Sequence, residues 1–225
     1  MVEYRDYNFA GKVMEFFVTH QTVEHFSGDC AVAFVFKDKT HQNKDLQQLL
    51  ELNRFDATLG ATLMLSQVSG YKTKRLLIVG LGDTSLNEKN YMKVLQSLSS
   101  ALSDAKVKNV VIADIQIDNR DESWIQLTTA RVLRNASYQV EKVDAKEDNE
   151  QGTLEAVSIY SENNDAAEIN KGLAIANGMA LTRRLGDLPS NICTPSYLAE
   201  TAKSLAKNYK LECEVLEESD MEALG

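Results

Sequence analysis

The chain has 225 residues, of which 44% are hydrophobic and 25% are charged. This is the composition of an ordinary globular protein, so disorder, collagen-like repeats and disulfide scaffolds are excluded. Lys and Arg number 24 against 33 Asp and Glu, giving a formal net charge of -9, and an acidic surface disfavours non-specific binding to nucleic acid. At about 150 residues per domain, the length predicts one large domain, or one domain with an appendage.

The cysteines and the N-terminus predict a cytoplasmic location. Cys30, Cys193 and Cys213 are odd in number and lack the spacing of a disulfide framework, which favours reduced thiols. The first residues, MVEYRDYNFAGKV, have neither the apolar core nor the small-residue cleavage site of a signal peptide. No stretch approaches the roughly 18 apolar residues that a membrane span needs.

The first third of the chain is predicted to form three strands and a short helix. Residues 12–19 (KVMEFFVT) and 30–37 (CAVAFVFK) are rich in Val and Phe and are bounded by turn residues, which is typical of strands. A short helix is predicted over residues 45–52, and a third strand over residues 60–67 (GATLMLSQ).

The middle of the chain alternates between buried strands and amphipathic helices. Residues 74–79 (KRLLIV) form an almost continuous apolar run, as in a strand buried on both faces of a parallel sheet. Ser85 and Glu88 predict a capping box at the start of a helix. The apolar residues of that helix recur at helical spacing: Tyr91, Val94, Leu95, Leu98 and Leu102. A strand over 109–117, a helix over 123–136 and a strand over 154–160 follow.

This alternation predicts an α/β fold, with a mixed, mostly parallel sheet flanked by helices. A long helix over residues 165–184 follows the last strand, and one of its faces carries Ile169, Leu173, Ala176 and Ala180. Residues 185–194 break the periodicity. We therefore predict a domain over residues 1–184, and a separate segment over 185–225.

The last segment opens with a strong helix start. Thr194 is expected as the N-cap and Pro195 as the first helical residue, followed by an apolar stripe and a strand over 211–216. Ser219 and Glu222 predict a second capping box close to the end of the sequence. A helix of one or two turns is unstable alone. Either Gly225 caps a short terminal turn, or the sequence is the front piece of a longer protein.

Candidate catalytic and metal sites are sparse. His20, Glu24 and His25 lie close together, but their spacing differs from zinc-protease motifs, so the alternatives are a metal site and exposed loop histidines. His41 is isolated among polar residues and is interpreted as a solvated loop residue. Cys193, just before a helix, is either a thiol of lowered pKa or a packed apolar side chain.

The sequence Gly80-Leu81-Gly82 follows a strand and precedes a helix. It is either a phosphate-binding turn or a tight turn that closes the strand, because Ser85 stands where the third glycine of a nucleotide-binding motif would lie.

The segment from Gly172 to Gly225 carries the most specific pattern in the chain. It reads as a long helix, then RRLGDLPSNICTPSYLA, a second helix, and VLEESDMEALG. This resembles the stretch that joins the two domains of the leucyl (cytosol) aminopeptidase family, in which the pattern is R-D-L-x-N-x-P-x-N-x-x-T-P-x-x-L-A and later V-L-x-x-x-x-M-x-x-L-G. The matching positions are Arg183, Leu185, Leu188, Pro189, Asn191, Thr194, Pro195, Leu198, Ala199, Met221, Leu224 and Gly225. Arg184 and Asp187 replace the family's Asp and Asn.

The resemblance implies a macro-domain-like N-terminal domain over residues 1–184, then a linker, a helix and the start of a C-terminal catalytic domain over 185–225. In the family, the two divalent metal ions (manganese or zinc) and the catalytic side chains belong to the C-terminal domain. We therefore expect no catalytic, cofactor-binding or metal-binding residue in this chain, and no peptidase activity from it alone. The parent protein is expected to be a cytoplasmic metallo-aminopeptidase, assembled as a hexamer, that removes N-terminal amino acids from peptides.

Two other functions remain as alternatives. Macro domains bind ADP-ribose, so the chain is alternatively a ligand-binding module, although that analogy concerns the fold alone. Some bacterial members of the family also bind DNA, which makes an assembly or DNA-contact domain the other alternative. The net charge of -9 argues against DNA.

Overall fold

A computed structural model describes residues 14–37, 39, 43–83, 85–138, 154–162 and 165–225. The strands within these residues are β1 (Glu15–Thr19), β2 (Cys30–Val35), β3 (Thr62–Ser66), β4 (Arg75–Gly80), β5 (Asn109–Ile112) and β6 (Ala156–Tyr160). The helices are α1 (Lys44–Leu52), α2 (Glu88–Asp104), α3 (Glu122–Ala136), α4 (Ala167–Asp187), α5 (Pro195–Tyr209) and α6 (Glu218–Leu224). Among those residues, no helix has both the length and the apolar character that crossing a membrane requires.

The strands form one sheet in the order β1-β6-β5-β2-β4-β3, which confirms the predicted α/β fold with a mostly parallel sheet. Every neighbouring pair is parallel except β3 and β4, so the antiparallel strand lies at an edge. In the middle of the sheet, Val32 of β2 stands opposite Leu77 on one side and Ile112 on the other. Because the other five strands are parallel, their carboxyl ends all meet at the same edge of the sheet.

Both faces of the sheet are covered, which explains the continuous apolar sequences of its central strands. On one face, α2, α3 and α4 contribute buried side chains to the larger core, among them Leu98, Leu133 and Ile169. On the other face, α1 contributes Leu46, which is fully buried. The apolar stripe predicted for α2 is entirely buried, and Ile169 and Ala176 of α4 are buried as predicted.

The amino-terminal ends of the three central strands are held by one ion pair. Asp29, just before β2, accepts hydrogen bonds from the Arg75 guanidinium, with an Nη2–Oδ2 distance of 2.5 Å, and from the Lys108 amide at 2.9 Å. Arg75 also donates to the Ala105 carbonyl at 2.5 Å. Burial of the Asp29 carboxyl opposes ionisation, but the hydrogen bonds from Lys108 and Arg75 and the charge of Arg75 outweigh burial and lower its pKa.

Several predicted boundaries are wrong, and the first concerns α2. This helix begins at Glu88 with Asn87 as its N-cap, whose side chain accepts from the Asn90 amide at 3.0 Å, so Ser85 and Glu88 form no capping box. Leu86 is 1% exposed, and its burial holds the preceding residues outside the helix.

The capping box of α6 also lies two residues earlier than predicted, and joins Glu217 to Asp220 in place of Ser219 and Glu222.

Two predicted strands differ from the structure. Residues 113–117 are not part of β5, which ends at Ile112, and instead form a loop. Residues 211–216 alternate like a strand but have no regular structure, because no described strand pairs with them. The predicted break after residue 184 begins later, since α4 continues to Asp187. Residues 12 and 13 of the first predicted strand lie outside the described residues.

By its internal contacts the chain divides into two units, Met1–Ala180 and Leu181–Gly225. The first unit contains the whole sheet. The second contains the last residues of α4, then α5 and α6, and none of its residues is buried. Thr194 caps α5 through its hydroxyl, which accepts from the Tyr197 amide at 3.3 Å, with Pro195 at the helix start as predicted.

Candidate ligand cleft

The histidines predicted as a weak metal candidate do not form a metal site in the structure. His20 and His25 are both exposed, and the Nδ1 atom of His25 is hydrogen-bonded to the hydroxyl of Thr22 at 3.0 Å. Across the described residues, no three His, Cys, Asp or Glu side chains come close enough together to hold a metal ion. His41 lies outside the described residues.

The Gly80-Leu81-Gly82 turn is a structural turn and not a phosphate cradle. Its three backbone amides already donate to carbonyls of the chain: Gly80 to Ala61 at 2.8 Å, Leu81 to Val35 at 2.8 Å, and Gly82 to Ala57 at 2.9 Å. A Cβ atom at Gly80 would lie 2.3 Å from the Thr58 carbonyl oxygen, so the glycine is required by close packing of the 57–61 loop. No amide of the turn is left to bind a phosphate.

The three cysteines are free and differ in exposure. Cys30 is fully buried on β2, and burial raises the pKa of its thiol to about 12, which makes it unreactive in the folded chain. Cys193 is half-buried, and its backbone amide donates to the Pro189 carbonyl at 2.9 Å. Cys213 is exposed.

A cleft of about 480 Å³, which we call the β5–β6 cleft, lies at the carboxyl ends of β5 and β6. Ligands of open α/β sheets bind at this edge, and the volume is within the usual range for small-molecule sites. It is lined by the loop after β5, the first half of α3, the end of β6 and one residue of α2: Ile112, Ala113, Asp114, Ile115, Gln116, Ile117, Arg120, Glu122, Ile125, Gln126, Thr129, Tyr160, Glu162 and Tyr91.

The inner wall of the β5–β6 cleft is fixed by a buried hydrogen-bonded pair. The hydroxyls of Tyr91 and Thr129 are 2.6 Å apart, and Thr129 also donates to the Ile125 carbonyl at 2.6 Å. Thr129 therefore accepts its hydrogen bond from Tyr91. Burial raises the pKa of the Tyr91 phenol, which stays neutral. This pair joins α2 to α3 and acts as a support rather than as a reactive group.

Three polar side chains that line the cleft already form hydrogen bonds within the chain. Asp114 Oδ1 accepts from the Ile115 amide at 2.8 Å, within its own turn. The Nε atom of Arg120 donates to Glu88 at 2.7 Å, and its guanidinium lies over the Trp124 ring. The carboxamide nitrogen of Gln126 donates to Glu122 at 3.0 Å.

None of the sequence-based predictions includes this cleft. The sequence feature that could have indicated it is Gln126, a polar residue next to Ile125 in the buried part of α3. The loop that lines the cleft was missed because residues 113–117 were predicted as strand, so no loop was expected at this edge of the sheet.

The chain is similar to known aminopeptidases in sequence and to two kinds of solved structure in fold. The family that matches is "Cytosol aminopeptidase family, N-terminal domain", over residues 31–147. A probable cytosol aminopeptidase of Vesicomyosocius okutanii is 44% identical over 212 residues, which is 94% of this chain and 44% of that protein. A probable cytosol aminopeptidase of Nitrosomonas eutropha is 34% identical over 231 residues, which is 94% of this chain and 46% of that protein.

The solved structures support the fold. A tomato leucine aminopeptidase variant matches with a TM-score of 0.70 at 22% identity, over 95% of this chain and 46% of that one. The bottromycin maturation enzyme BotP matches with a TM-score of 0.71 at 18% identity, over 88% of this chain and 41% of that one. The chain thus spans less than half the length of the relatives that it matches.

Proposed function

Because the chain belongs to the cytosol aminopeptidase family, we propose that it forms the non-catalytic N-terminal part of a two-metal leucyl aminopeptidase. Such an enzyme hydrolyses the first peptide bond of a peptide and releases its N-terminal amino acid. The observation that carries the proposal is the match of residues 31–147 to the family's N-terminal domain, in a chain that covers less than half of its relatives.

The side chains of the chain support a non-catalytic role. A two-metal centre requires several carboxylate or imidazole ligands around ions a few ångströms apart. The part of the chain that the structure describes contains no group of three such side chains at ligand distance. The described residues therefore do not fit the metal ions that the family implies, and we derive no catalytic step from them.

Divalent metals enter the proposal through the relatives alone. One matching structure, of the bottromycin maturation enzyme BotP, is in complex with Mn, at 17% identity and a TM-score of 0.67. We place the corresponding manganese or zinc ions of the parent enzyme in its C-terminal half. The relatives from Vesicomyosocius okutanii and Nitrosomonas eutropha, which are named as probable cytosol aminopeptidases, support a cytoplasmic location for the parent enzyme.

The domain organisation that we propose is a macro-like domain over residues 1–184, followed by a connection over 185–225 to the catalytic domain. The large exposed apolar side chains of the second unit support a partner there, since exposed apolar patches commonly mark interfaces. They are Leu198, Tyr209, Leu211, Leu216, Met221 and Leu224, each more than 40% exposed. The partners proposed are the C-terminal domain of the same protein and further copies in a homo-oligomer, a hexamer by analogy with the family.

This domain boundary has its own test in two shortened chains. A chain ending at residue 184 keeps most of α4 and should retain most of the thermal stability. A chain ending at residue 164 lacks α4 and the burial of Ile169 and Ala176, so it should melt lower and less cooperatively. Equal melting of the two chains would contradict this placement of the boundary.

The two alternative functions are less well supported. An ADP-ribose site needs donors for two phosphates, and the amides of the 80–82 turn are all engaged. A DNA-contact role needs a basic surface, and the net charge is -9.

Titration calorimetry of the purified chain distinguishes the proposed non-catalytic role from a metal site and from an ADP-ribose-binding module. Additions of Mn²⁺, Zn²⁺ and ADP-ribose should each give no saturable heat. Saturable binding of two Mn²⁺ ions per chain would refute the non-catalytic assignment. Saturable binding of ADP-ribose would favour the ligand-binding module. A full-length relative, the probable cytosol aminopeptidase of Nitrosomonas eutropha, serves as the control that the proposal expects to bind metal.

A further inference from the structure

The edge strand β3 lacks the features that normally keep other chains from pairing with a sheet edge. It stands at the end of the strand order, and no described strand pairs with its outer side. Sheet edges are usually protected by charged residues, by proline or by a bulge. The sequence of β3 is TLMLS, and its register with β4 is continuous, without a bulge. Residues 57–71, which include β3, form the longest stretch of the chain without a charged residue, although 25% of all residues are charged.

The backbone of β3 presents hydrogen-bonding groups at this open edge. The amide of Gln67, just after the strand, donates to the Lys74 carbonyl at 3.0 Å. Along an antiparallel pair, every second residue is hydrogen-bonded to the partner strand. Residues 65 and 63 therefore also bond to β4, whereas Thr62, Met64 and Ser66 direct their N–H and C=O groups outward.

The side chains of β3 are incompletely covered at the same edge. Leu63 and Leu65 pack against the core on the α1 side of the sheet, and Met64 packs against the core on the other side. All three are only half-buried, while Thr62 and Ser66 at the two ends of the strand are exposed. A further strand at this edge would bury more of their apolar surface and would satisfy the outward backbone groups.

The sequence of β3 indicates that the further strand is β3 of a second copy, because TLMLS reads almost the same in both directions. In an antiparallel pair centred on Met64, Thr62 of one copy lies opposite Ser66 of the other. Each Leu63 lies opposite a Leu65, and the two Met64 residues face each other. The opposed residues thus match in size and polarity, and the pairs at positions 62, 64 and 66 fall where the outward backbone groups can bond.

We propose that β3 is the edge through which two copies of this chain pair, antiparallel and about a two-fold axis at Met64. Each copy has one β3, so the contact closes at a dimer and does not extend into a filament. The proposal rests on this edge alone. It does not depend on the peptidase role proposed above, so either can fail while the other holds.

Sedimentation equilibrium of the full chain at neutral pH, from about 10 µM to about 1 mM, measures the pairing. A contact centred on one short strand is at the weak end of protein interfaces, so the dimer should become prominent towards the upper concentrations. A chain that remains monomeric throughout this range would overturn the proposal.

Charges placed at the two exposed ends of β3 test the contact and its register. Thr62→Lys with Ser66→Lys sets lysine opposite lysine across the two-fold axis, and should weaken the dimer by at least about tenfold. Thr62→Lys with Ser66→Glu sets lysine opposite glutamate, and should pair at least about tenfold more tightly than the double-lysine variant. Equal weakening by both would contradict the antiparallel register, and association of the double-lysine variant as strong as wild type would place the contact elsewhere.

Ser100→Lys with Ser103→Lys is the matched control, because it makes the same change in net charge at exposed positions of α2, away from the β3 edge. This variant should associate at least as tightly as wild type. Weakening equal to that of the double-lysine variant of β3 would reduce the effect to overall charge and would overturn the proposal.

Amide hydrogen exchange of the ¹⁵N-labelled wild-type chain locates the contact on the backbone. The amides of Thr62, Met64 and Ser66 should exchange more slowly as the concentration rises through the dimerisation range, because they become hydrogen-bonded only in the dimer. The amides of Leu63 and Leu65, which already bond to β4, should change little. Self-association that leaves exchange at Thr62, Met64 and Ser66 unchanged would contradict the pairing.

Discussion

The contact between α3 and α4 predicts that a single methyl group at Gly172 destabilises the chain. A Cβ atom at this position would lie 2.3 Å from the Leu127 carbonyl oxygen and 3.2 Å from the Ala130 side chain. Both neighbours belong to α3, so Gly172→Ala forces two packed helices apart. Overpacking of this kind costs about 1–3 kcal/mol, and we expect the upper end because the nearest atom is backbone.

The higher helix propensity of alanine offsets about 1 kcal/mol of that cost. The net destabilisation of Gly172→Ala should therefore be about 2 kcal/mol, a substantial part of a typical stability of about 5–15 kcal/mol. For a chain of this size, it corresponds to a fall in Tm of roughly 4–8 °C. Urea and thermal denaturation of the full chain measure both quantities.

Gly178→Ala is the matched control on the same helix. Gly178 is exposed, and a Cβ atom there would have no heavy atom within 4 Å. The substitution should raise the stability by roughly 0.5–1 kcal/mol, because only helix propensity changes. If Gly172→Ala melts as high as Gly178→Ala, α4 does not pack on α3 as described, and the reasoning about this side of the core is wrong.

Three further predictions concern an ion pair, the thiols and a buried phenol. Asp29→Asn weakens the contact with Arg75 and should cost about 2 kcal/mol at neutral pH. The pKa of Asp29 is lowered in the folded chain. The stability that Asp29 contributes is therefore fully present above its unfolded pKa of about 3.9, and it is lost as the pH falls through the lowered pKa. Denaturation midpoints at acidic pH should consequently depend less on pH in Asp29→Asn than in the wild type. Under native conditions a thiol reagent should modify Cys213 rapidly and Cys30 only after unfolding, and rapid native modification of Cys30 would contradict its burial. Tyr91→Phe removes one buried hydrogen bond and should cost about 1 kcal/mol in urea denaturation, with an unchanged midpoint counting against that bond.

The parts of the fold that could be predicted from sequence are those fixed by local periodicity. The spacing from Tyr91 to Leu102 repeats the turn of a helix, and all five residues of this stripe are buried in the core. Thr194 and Pro195 specify a helix start by backbone chemistry alone, and the structure confirms it. Neither prediction requires knowledge of a distant part of the chain.

The errors arise where tertiary contacts decide between similar local choices. Ser85 and Asn87 are both good N-caps, and the burial of Leu86 selects the second. Residues 211–216 have the alternation of a strand, but a strand also needs a neighbour, and its pairing partner is not written in the local sequence. The strand order of the sheet, with β5 beside β2 and β6, depends on long-range pairing for the same reason.

The candidate cleft could not be predicted because its residues are far apart in sequence. Asp114 lies in the loop after β5, Gln126 in α3, and Glu162 just after β6, and only the parallel sheet brings them to one edge. The Gly80-Leu81-Gly82 turn is a local motif that offered a phosphate site as one alternative, although the fold makes none there. The carbonyls that engage its amides come from β2 and from the 57–61 loop, so its role is decided by the fold.

Hydrolysis of a leucyl chromogenic substrate by the purified chain is the most direct test of the central claim, that catalysis lies outside these residues. The assay is run with Mn²⁺ and with Zn²⁺, beside the full-length relative from Nitrosomonas eutropha under the same conditions. We predict no release of chromophore above the buffer rate from the chain, and rapid release from the full-length relative. Metal-dependent hydrolysis that co-purifies with the chain and saturates with substrate would contradict it.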